Sequence, residues 1–319
     1  MQKTLLTLLA LTASCAIKQP PAQHEFRFLW TAGWSTDGTY IAVGGDNGKL
    51  VILNGIHLSV VKTLSFDSMT IPAVAWHPTQ NLLAFSAYPH NRRLETQTLQ
   101  LLNMETGKLM ELGKYAGRGL DWSPDGSYLA LGRDGFITIF SIDGKKIRDI
   151  KHPSGRSLFS VSWHPAKNII AAADNDVRLF DTETGEEIRS VKISNINKAI
   201  LCVRWHPSGK FFATGDYGHE GETEPSYLKF FSEEGEHVLT MTGSNGPYRG
   251  MEWNKDGTKL ATASDSLRIW ALNGKLLVTA NNGYGAIWGI DWNDNLLVTG
   301  GWENSVSIWN DKGTLLKAR

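Results

Sequence analysis

The chain lacks several features by which function is often recognised from sequence. It has only two cysteines in 319 residues, Cys15 and Cys202, and they lie far apart, so a disulfide framework is not indicated. An excess of one charge is also missing, because 32 Lys and Arg balance 32 interspersed Asp and Glu. Without a basic field that gathers phosphates, we expect no nucleic-acid partner.

Motifs that carry catalysis are absent as well. The sequence has no Gly-x-Ser-x-Gly, no Cys-x-x-Cys, no His-Glu-x-x-His and no phosphate-cradling glycine loop. The acidic stretch His219–Glu224 has no spacing typical of a metal-ligand set, and a Gly-interrupted acidic loop is usually solvated. We therefore expect a protein that is not an enzyme and that needs no cofactor or metal.

A long apolar run is missing too, and the one near the N-terminus is too short to span a bilayer. It extends from Leu5 to Ala13, follows one positive charge at Lys3 and precedes small residues. This layout is that of a secretion signal. With small residues before Cys15 it also resembles a bacterial lipoprotein signal, in which the cysteine is lipidated and becomes the new N-terminus. Thr12 departs from that pattern, since leucine is commoner at its place.

Tryptophan, by contrast, recurs at a regular spacing. Seven of the 12 tryptophans follow one another at intervals of 39 to 48 residues. These anchor tryptophans are Trp34, Trp76, Trp122, Trp163, Trp205, Trp253 and Trp292. A period of about 40 to 45 residues is that of a β-propeller blade of four short strands. We predict an all-β, seven-bladed β-propeller of four-stranded antiparallel blades.

One blade is clearest at residues 119–150. Strand patterns at 119–122, 127–132, 136–140 and 146–150 are separated by turns at 123–126, 134–135 and 143–144. Proline at the second position of the first turn fixes φ, and glycine after aspartate supplies the left-handed residue of a tight hairpin. The fourth strands of blades six and seven are predicted at 274–278 and 313–317.

These turns and strands resemble the WD40-repeat family over residues 26–319. A Trp-Ser-Pro-Asp-Gly-like turn pairs with a third strand and turn such as Val177–Gly185. The Trp-Asp pair that names the family is absent, since Ala271 follows Trp270, and no Gly-His pair precedes the first strand. The family's buried His–Ser/Thr–Asp–Trp network is therefore expected to be incomplete, and Thr262, Asp265 and Trp270 of blade six come nearest to it.

Two sets of polar residues sit at fixed positions of the repeat. Carboxylates stand directly before three anchor tryptophans, at Asp121, Glu252 and Asp291, which favours a structural role. His-Pro pairs occupy the same turn in three blades, so their histidines are interpreted as turn residues and not as ligands: His77, His164 and His206.

The resemblance also implies where a partner binds. It places the residue four before each anchor tryptophan at the top mouth of the central channel: Trp30, Pro72, Arg118, Phe159, Leu201, Arg249 and Trp288. Tryptophan, arginine and phenylalanine suit an interface hot spot. Enlarged loops at 87–96 and 216–226 open on the same face, as does Trp302 in blade seven. We predict a protein or peptide partner on this face, bound through Trp30, Arg118, Phe159, Arg249, Trp288 and Trp302.

Alternatives stay open at three points. The two tryptophans of the ring, Trp30 and Trp288, could simply pack the seam where the ring closes, and the arginines could pair with nearby acids.

Residues 1–15 are interpreted as the signal, 16–24 as a tether and 25–319 as the propeller. The protein is then exported, periplasmic or held at a membrane only through lipid on Cys15, and is expected to be a monomer. The alternatives are a cytoplasmic scaffold with an N-terminal closing strand, and a propeller that acts on or binds small molecules or glycans. An enzyme would show a deep polar pocket with strongly shifted carboxylate pKa values.

Overall fold

The computed structural model describes residues 28–90, 94–193, 198–218 and 225–319. Within these ranges the chain forms 28 β-strands and one three-residue 3-10 helix, Leu94–Thr96. The strands make seven four-stranded antiparallel sheets, and each sheet is built from four consecutive strands in order. The prediction of an all-β, seven-bladed propeller is confirmed.

The blades follow one another along the chain, and their first strands line a cavity on the central axis. Blades one to four contain β1 Leu29–Trp34, β2 Tyr40–Gly45, β3 Lys49–Asn54, β4 Val60–Ser65, β5 Met69–Trp76, β6 Leu82–Pro89, β7 Thr98–Asn103, β8 Leu109–Gly113, β9 Gly119–Trp122, β10 Tyr128–Arg133, β11 Phe136–Ser141, β12 Lys146–Lys151, β13 Ser160–Trp163, β14 Ile169–Ala173, β15 Val177–Asp181 and β16 Glu187–Val191. Blades five to seven contain β17 Ile200–Trp205, β18 Phe211–Asp216, β19 Leu228–Ser232, β20 His237–Met241, β21 Gly250–Trp253, β22 Lys259–Ala263, β23 Leu267–Ala271, β24 Leu276–Ala280, β25 Ile287–Asn293, β26 Leu296–Gly301, β27 Val306–Asn310 and β28 Leu315–Ala318.

Strand bounds in blade three agree with the sequence pattern to within one residue, but two outer strands begin later than predicted. β24 begins at Leu276 and β28 at Leu315, two residues after the predicted starts. Gly274 and Gly313 instead occupy the preceding turns, with φ of 83° and 75°. Because this left-handed conformation ends strand pairing and favours glycine, both residues belong to the turns.

The core lies between neighbouring sheets. The cluster between blades four and five combines Val177 and Leu179 of one sheet with Val203, Trp205 and Phe212 of the next. Burying each such aliphatic or aromatic side chain contributes about 1.5–3 kcal/mol. Equivalent clusters form between the other pairs of neighbouring blades, so packing between sheets holds the ring.

The three His-Pro turns join neighbouring blades. In each, Nδ1 accepts the backbone N–H two residues on, at 3.0 to 3.2 Å. Nε2 therefore carries the proton and donates to a glycine carbonyl in the matching turn of the next blade. These bonds are His77 to Gly126 at 3.0 Å, His164 to Gly209 at 3.1 Å and His206 to Gly257 at 2.9 Å. Burial lowers the pKa of all three imidazoles, which keeps them neutral. They are turn residues, as predicted, and they also fasten one blade to the next.

In blade six the WD40 family's polar network is reduced to one hydrogen bond, and blade seven has the equivalent bond from Trp309 Nε1 to Thr299 Oγ1 at 2.9 Å. Trp270 Nε1 donates to Thr262 Oγ1 at 3.0 Å, and both side chains are buried. Asp265 does not extend this pair, because Arg268 binds both of its carboxylate oxygens at 2.6 and 3.1 Å. The network is incomplete, as expected, and Asp265 serves a different ion pair.

The ring closes between blades seven and one without a shared strand among the described residues. Asp291 Oδ2 accepts the backbone N–H of Trp34 at 2.7 Å, and Asn293 Nδ2 donates to the carbonyl of Ser35 at 3.0 Å. Residues 1–27, including Cys15, lie outside the described residues, so the lipid anchor stays a prediction. No helix in the described part of the chain is long and apolar enough to cross a membrane.

Candidate functional site

In six of the seven blades the residue four before the anchor tryptophan lies at an irregularity of the innermost strand. Trp30, Leu201 and Trp288 have no pairing partner in the second strand. The residues on either side of each one pair with two consecutive residues of that strand. In blades four and six the equivalent residues are Phe159 and Arg249. Each donates its N–H to the carbonyl of the second-strand residue that already pairs with the next residue of the innermost strand, Ala173 and Ala263 respectively. A bulge re-aims the side chain of the extra residue. In these blades the irregularity directs one side chain toward the central axis.

The seven residues that stand four before the anchor tryptophans line one cavity. It has a volume of about 460 Å³ and is bounded by the innermost strands of all seven blades. We define its mouth as the end at which these strands begin, and the top face as the surface around the mouth. The structure therefore brings together every predicted member of the ring: Trp30, Pro72, Arg118, Phe159, Leu201, Arg249 and Trp288.

Aromatic rings and guanidinium groups stack side by side across the mouth. The guanidinium carbon of Arg118 lies 4.3 Å from the ring centroid of Trp30 and 5.6 Å from that of Phe159. Trp30 meets Trp288 edge to face at 4.8 Å, and Arg249 lies 4.0 Å above Trp288. All four distances lie within the range at which cation–π and aromatic ring contacts are attractive. Arg118 belongs to blade three, so its side chain passes the small Pro72 of blade two to reach Trp30.

Two further aromatic residues extend this arrangement outward. Phe28 packs on Trp288 at 4.9 Å and on Trp302 at 4.3 Å, edge to face with the latter. Trp302 is 43% exposed, and its Nε1 donates to Glu303 at 3.0 Å. Sequence reasoning missed Phe28, which directly precedes β1, as a site residue, because no repeat position singled it out. We call the following residues the mouth cluster: Phe28, Trp30, Arg118, Phe159, Arg249, Trp288 and Trp302.

The blade-five loop reaches the mouth cluster. Tyr217 lies 5.8 Å from the guanidinium carbon of Arg249, which places the start of this enlarged loop beside the mouth. Residues 219–224 of that loop, with His219 and its neighbouring glutamates, lie outside the described residues, as do 91–93 of the blade-two loop. Among the residues that are described, no group of three or more His, Cys, Asp or Glu is arranged to hold a metal.

Below the mouth, four charged side chains line the cavity at the position directly before an anchor tryptophan. Arg204 Nε donates to Glu252 Oε2 at 3.0 Å. Burial raises the pKa of Asp121 to about 6, against the opposing charge of Arg204. Burial, reinforced by repulsion from Glu252, raises the pKa of Asp291 to about 7. The cavity floor thus holds three carboxylates for one guanidinium, and two of them bind protons near neutral pH.

The floor carboxylates are also hydrogen-bonded to the backbone of the ring. Asp121 Oδ2 accepts the N–H of Trp163 in the next blade at 2.8 Å, as Asp291 Oδ2 accepts that of Trp34. Asp291 Oδ1 accepts the N–H of Trp292 at 2.8 Å. A polar cavity with shifted carboxylates is part of what an enzyme would show. Here, however, oxygens of the shifted groups bind backbone donors and join blades, so the geometry favours the structural role expected from their repeat position.

Comparisons with known proteins agree with this architecture. The family model described as the anaphase-promoting complex subunit 4 WD40 domain matches residues 120–208, and the WD domain, G-beta repeat matches residues 274–310. These two segments are similar to WD40 repeats, and the fold is that of a WD40-like β-propeller. The two matches fall on blades three to five and on the boundary of blades six and seven, and the structure extends the same architecture over all seven blades.

Relatives of this WD40-type propeller are distant. The anaphase-promoting complex subunit cdc20 of Dictyostelium discoideum is 22% identical over 78% of this chain and 50% of its own length. The WD repeat-containing protein 35 of Rattus norvegicus is 23% identical over 72% of this chain and 21% of its own. The intraflagellar transport protein 122 homolog of Danio rerio is 26% identical over 65% and 16%, respectively. The chain therefore spans half or less of the length of these relatives.

Proposed function

We propose that this chain is a non-catalytic platform that binds a protein or peptide partner through the mouth cluster on its top face. The observation that carries the proposal is the unbroken series of contacts from Phe159 through Arg118, Trp30 and Trp288 to Arg249. Tryptophan and arginine dominate interface hot spots, because they offer large rigid faces and planar donors. One relative is named as a subunit of a protein complex, which supports a binding role here.

Closure of the ring accounts for part of this cluster but not for all of it. The contact between Trp30 and Trp288 packs blade one against blade seven, as the seam alternative requires. Trp302 is 43% exposed, and Arg118 comes from blade three, away from the seam. Large exposed aromatic and cationic groups that converge on one opening support a binding surface in addition to a packing contact.

The test is a substitution on the exposed part of the cluster with a matched control on the opposite face. Trp302→Ser removes an exposed ring from the mouth cluster, and Tyr128→Ser removes a ring that is 41% exposed near the turns of the other face. With a partner identified by co-purification, Trp302→Ser is expected to weaken binding about tenfold or more. Tyr128→Ser should leave the affinity unchanged.

The double variant Trp288→Ala, Arg249→Ala extends the test to the half-buried members. It should abolish capture while the circular dichroism spectrum is retained. Equal affinity for the Trp302 and Tyr128 variants, or unfolding of the double variant with capture by the folded fraction intact, would assign the cluster to seam packing.

We further propose that the protein is exported and held at a membrane by lipid on Cys15. The support is the layout of residues 1–15, in which a positive charge is followed by a short apolar run and by small residues before Cys15. Expressed in a bacterium, the wild-type protein should yield a mature N-terminus at Cys15 with acyl mass added, and Cys15→Ser should lose that mass. An unmodified Met1 on soluble wild-type protein would instead support the cytoplasmic alternative.

A further inference from the structure

The turn that carries Trp302 has an unusual backbone. Its two central residues, Glu303 and Asn304, have φ of 57° and 54°. The N–H of Ser305 closes the turn by donating to the Trp302 carbonyl at 3.0 Å. Positive φ at both central residues is typical of a type I′ turn, which favours Asn and Gly. Asn adopts this conformation readily, whereas a glutamate in it adds backbone strain.

Two other blades avoid this strain at the same place. The turn between the second and third strands contains Gly48 in blade one, with φ of 66°, and Gly135 in blade three, with φ of 70°. Five residues other than glycine have positive φ in the part of the chain that the structure describes, and Glu303 and Asn304 are the one adjacent pair among them. A glycine in place of Glu303 would remove the strain. Strained backbone persists where other contacts require it, and it is concentrated at functional sites.

The side chain of Glu303 bonds the tryptophan beside it. Its Oε1 accepts the indole Nε1–H of Trp302 at 3.0 Å, although both residues are exposed. Phe28 packs edge to face with the same indole at 4.3 Å, and the backbone N–H of Trp302 donates to the carbonyl of Ala286 at 3.0 Å. Trp302 is therefore fixed at its backbone, at its ring and at its one polar side-chain atom, while 43% of it stays exposed.

Fixing an exposed indole brings little stability to the fold. A hydrogen bond at the surface replaces one to water at little net gain, and the fixed side chain loses rotamer freedom. A mobile side chain loses the same freedom when a partner binds, so an indole that is fixed beforehand increases affinity. Because the N–H of Trp302 is already bonded, what this side chain offers a partner is apolar ring surface.

We infer that Glu303 is a positioning residue: it holds Trp302 in the orientation in which an apolar side chain of the partner packs on the indole. This inference rests on the proposed function, in which Trp302 belongs to the binding surface. It predicts that loss of the acceptor at position 303 weakens binding without unfolding the blade.

The probe is a peptide from a display library of random 12-residue sequences. The library is selected on the full-length wild-type protein and counter-selected on Trp302→Ser, and the most enriched sequence is synthesised. Replacing one apolar residue of this peptide by Ser is expected to weaken its binding to wild type about tenfold or more by fluorescence anisotropy. The same replacement should leave the residual binding to Trp302→Ser unchanged, because the two side chains then have no contact to lose.

Three variants separate positioning from fold stability. Glu303→Gly removes both the acceptor and the strain and should weaken the peptide about three- to tenfold, since the indole is then immobilised only on binding. Glu303→Gln keeps an amide oxygen as acceptor and should bind within about twofold of wild type. Asp294→Gly also removes an exposed carboxylate and a positive φ, of 48°, at the turn between β25 and β26 on the opposite face, and should have no effect on binding. All three melting temperatures should stay within about 3 °C of wild type.

A spectroscopic measurement tests the positioning without a partner. In protein labelled with 15N-tryptophan, the Trp302 indole signal is assigned by its absence from Trp302→Phe. Its order parameter should be about 0.85 in wild type and in Glu303→Gln, as for a rigid group, and should fall below about 0.6 in Glu303→Gly.

The contrary results are distinct. An indole that is equally ordered in Glu303→Gly, or a peptide affinity of that variant equal to wild type, overturns the inference. So does a loss of affinity in Glu303→Gln or Asp294→Gly as large as that in Glu303→Gly. If no peptide is enriched, the co-purified partner takes its place in the same variants. A partner that binds Trp302→Ser as tightly as wild type refutes the proposed function and the inference together, whereas a loss in Trp302→Ser without one in Glu303→Gly refutes the inference alone.

Discussion

Glycine at position 126 is expected to be indispensable because of a histidine in the neighbouring blade. A Cβ added there would lie 2.2 Å from Nε2 and 2.4 Å from Cε1 of His77, which is buried. Gly126 also has φ of 74°, so any substitution adds backbone strain. Gly107 has nearly the same φ of 70°, but its Cβ would meet nothing within 4 Å. The pair Gly126→Ala and Gly107→Ala therefore separates the cost of the histidine contact from that of the backbone.

The magnitudes follow from these two geometries. Left-handed backbone costs an alanine about 1–2 kcal/mol, partly offset by reduced freedom of the unfolded chain, so Gly107→Ala should lower the free energy of unfolding by about 1 kcal/mol. Gly126→Ala must also displace His77 and break its bond to the Gly126 carbonyl, 3.0 Å long. Overpacking and a lost buried hydrogen bond each cost about 1–3 kcal/mol. Together with the backbone cost, we expect a total of about 3–7 kcal/mol.

Equilibrium urea unfolding, followed by tryptophan fluorescence, measures both variants. A second comparison in the His77→Ala background removes the clash, so Gly126→Ala should then cost no more than Gly107→Ala. The double-mutant coupling between His77 and Gly126 is thus expected to be about 2 kcal/mol or more. If Gly126→Ala and Gly107→Ala differ by less than about 0.5 kcal/mol, the reasoning about the inter-blade contact is refuted.

Three further predictions concern buried polar groups. His206 has a lowered pKa, so its stabilising effect is fully present above its usual value of 6.5 and is lost as the pH falls below it; the stability advantage of wild type over His206→Gln should shrink from pH 7.5 to pH 5. Asp291 has a pKa raised from 3.8 to about 7, so its contribution is present at low pH and lost as the pH rises through 7. Asp291→Asn should therefore gain roughly 2–3 kcal/mol relative to wild type between pH 5 and pH 8 in urea unfolding. Thr262→Val leaves the buried Nε1–H of Trp270 without its acceptor and should cost about 1–3 kcal/mol, whereas Thr262→Ser keeps the hydroxyl and should cost less.

Each of these has a clear contrary result. A stability difference between Asp291→Asn and wild type that stays constant from pH 5 to pH 8 would show that the carboxyl titrates in the same range in both states. If wild type is more stable than His206→Gln by the same amount at pH 5 as at pH 7.5, protonation of the imidazole does not destabilise the folded protein. If Thr262→Ser unfolds as easily as Thr262→Val, the methyl group rather than the hydroxyl stabilises blade six.

The sequence predicts the blades well because their signals are local. Strand alternation and the Asp-Gly turns of residues 119–150 need only neighbouring residues to be interpreted, and blade three agrees with them to within one residue. The residues four before the anchor tryptophans can be located from the sequence because every blade repeats one backbone geometry. The strand irregularities that direct Trp30 and Trp288 toward the axis are visible only in the structure.

Contacts between blades were harder to predict, because the partners are distant in the chain. His77 and Gly126 are 49 residues apart, and no local pattern pairs them. A signal does exist at the level of the repeat: each His-Pro turn is followed, one blade later, by a turn that contains glycine. Phe28 has no such regularity. Its contact with Trp302 depends on how blade one meets blade seven, which side-chain packing decides.

Within the described residues, every sheet of this propeller consists of four strands that are consecutive in the chain. Blade seven meets blade one through side-chain contacts and one isolated backbone bridge between Phe28 and Trp302. The chain termini can therefore be moved to a connection between two other blades without interrupting any sheet. A circular permutant that joins Arg319 to Phe28 through a short linker and opens the connection between Lys151 and Ser160 would keep Phe28 and all 28 strands of the described residues with their neighbours. Such a permutant would present the same mouth from new termini, which offers a direct route to fusing partners or probes on any side of the ring.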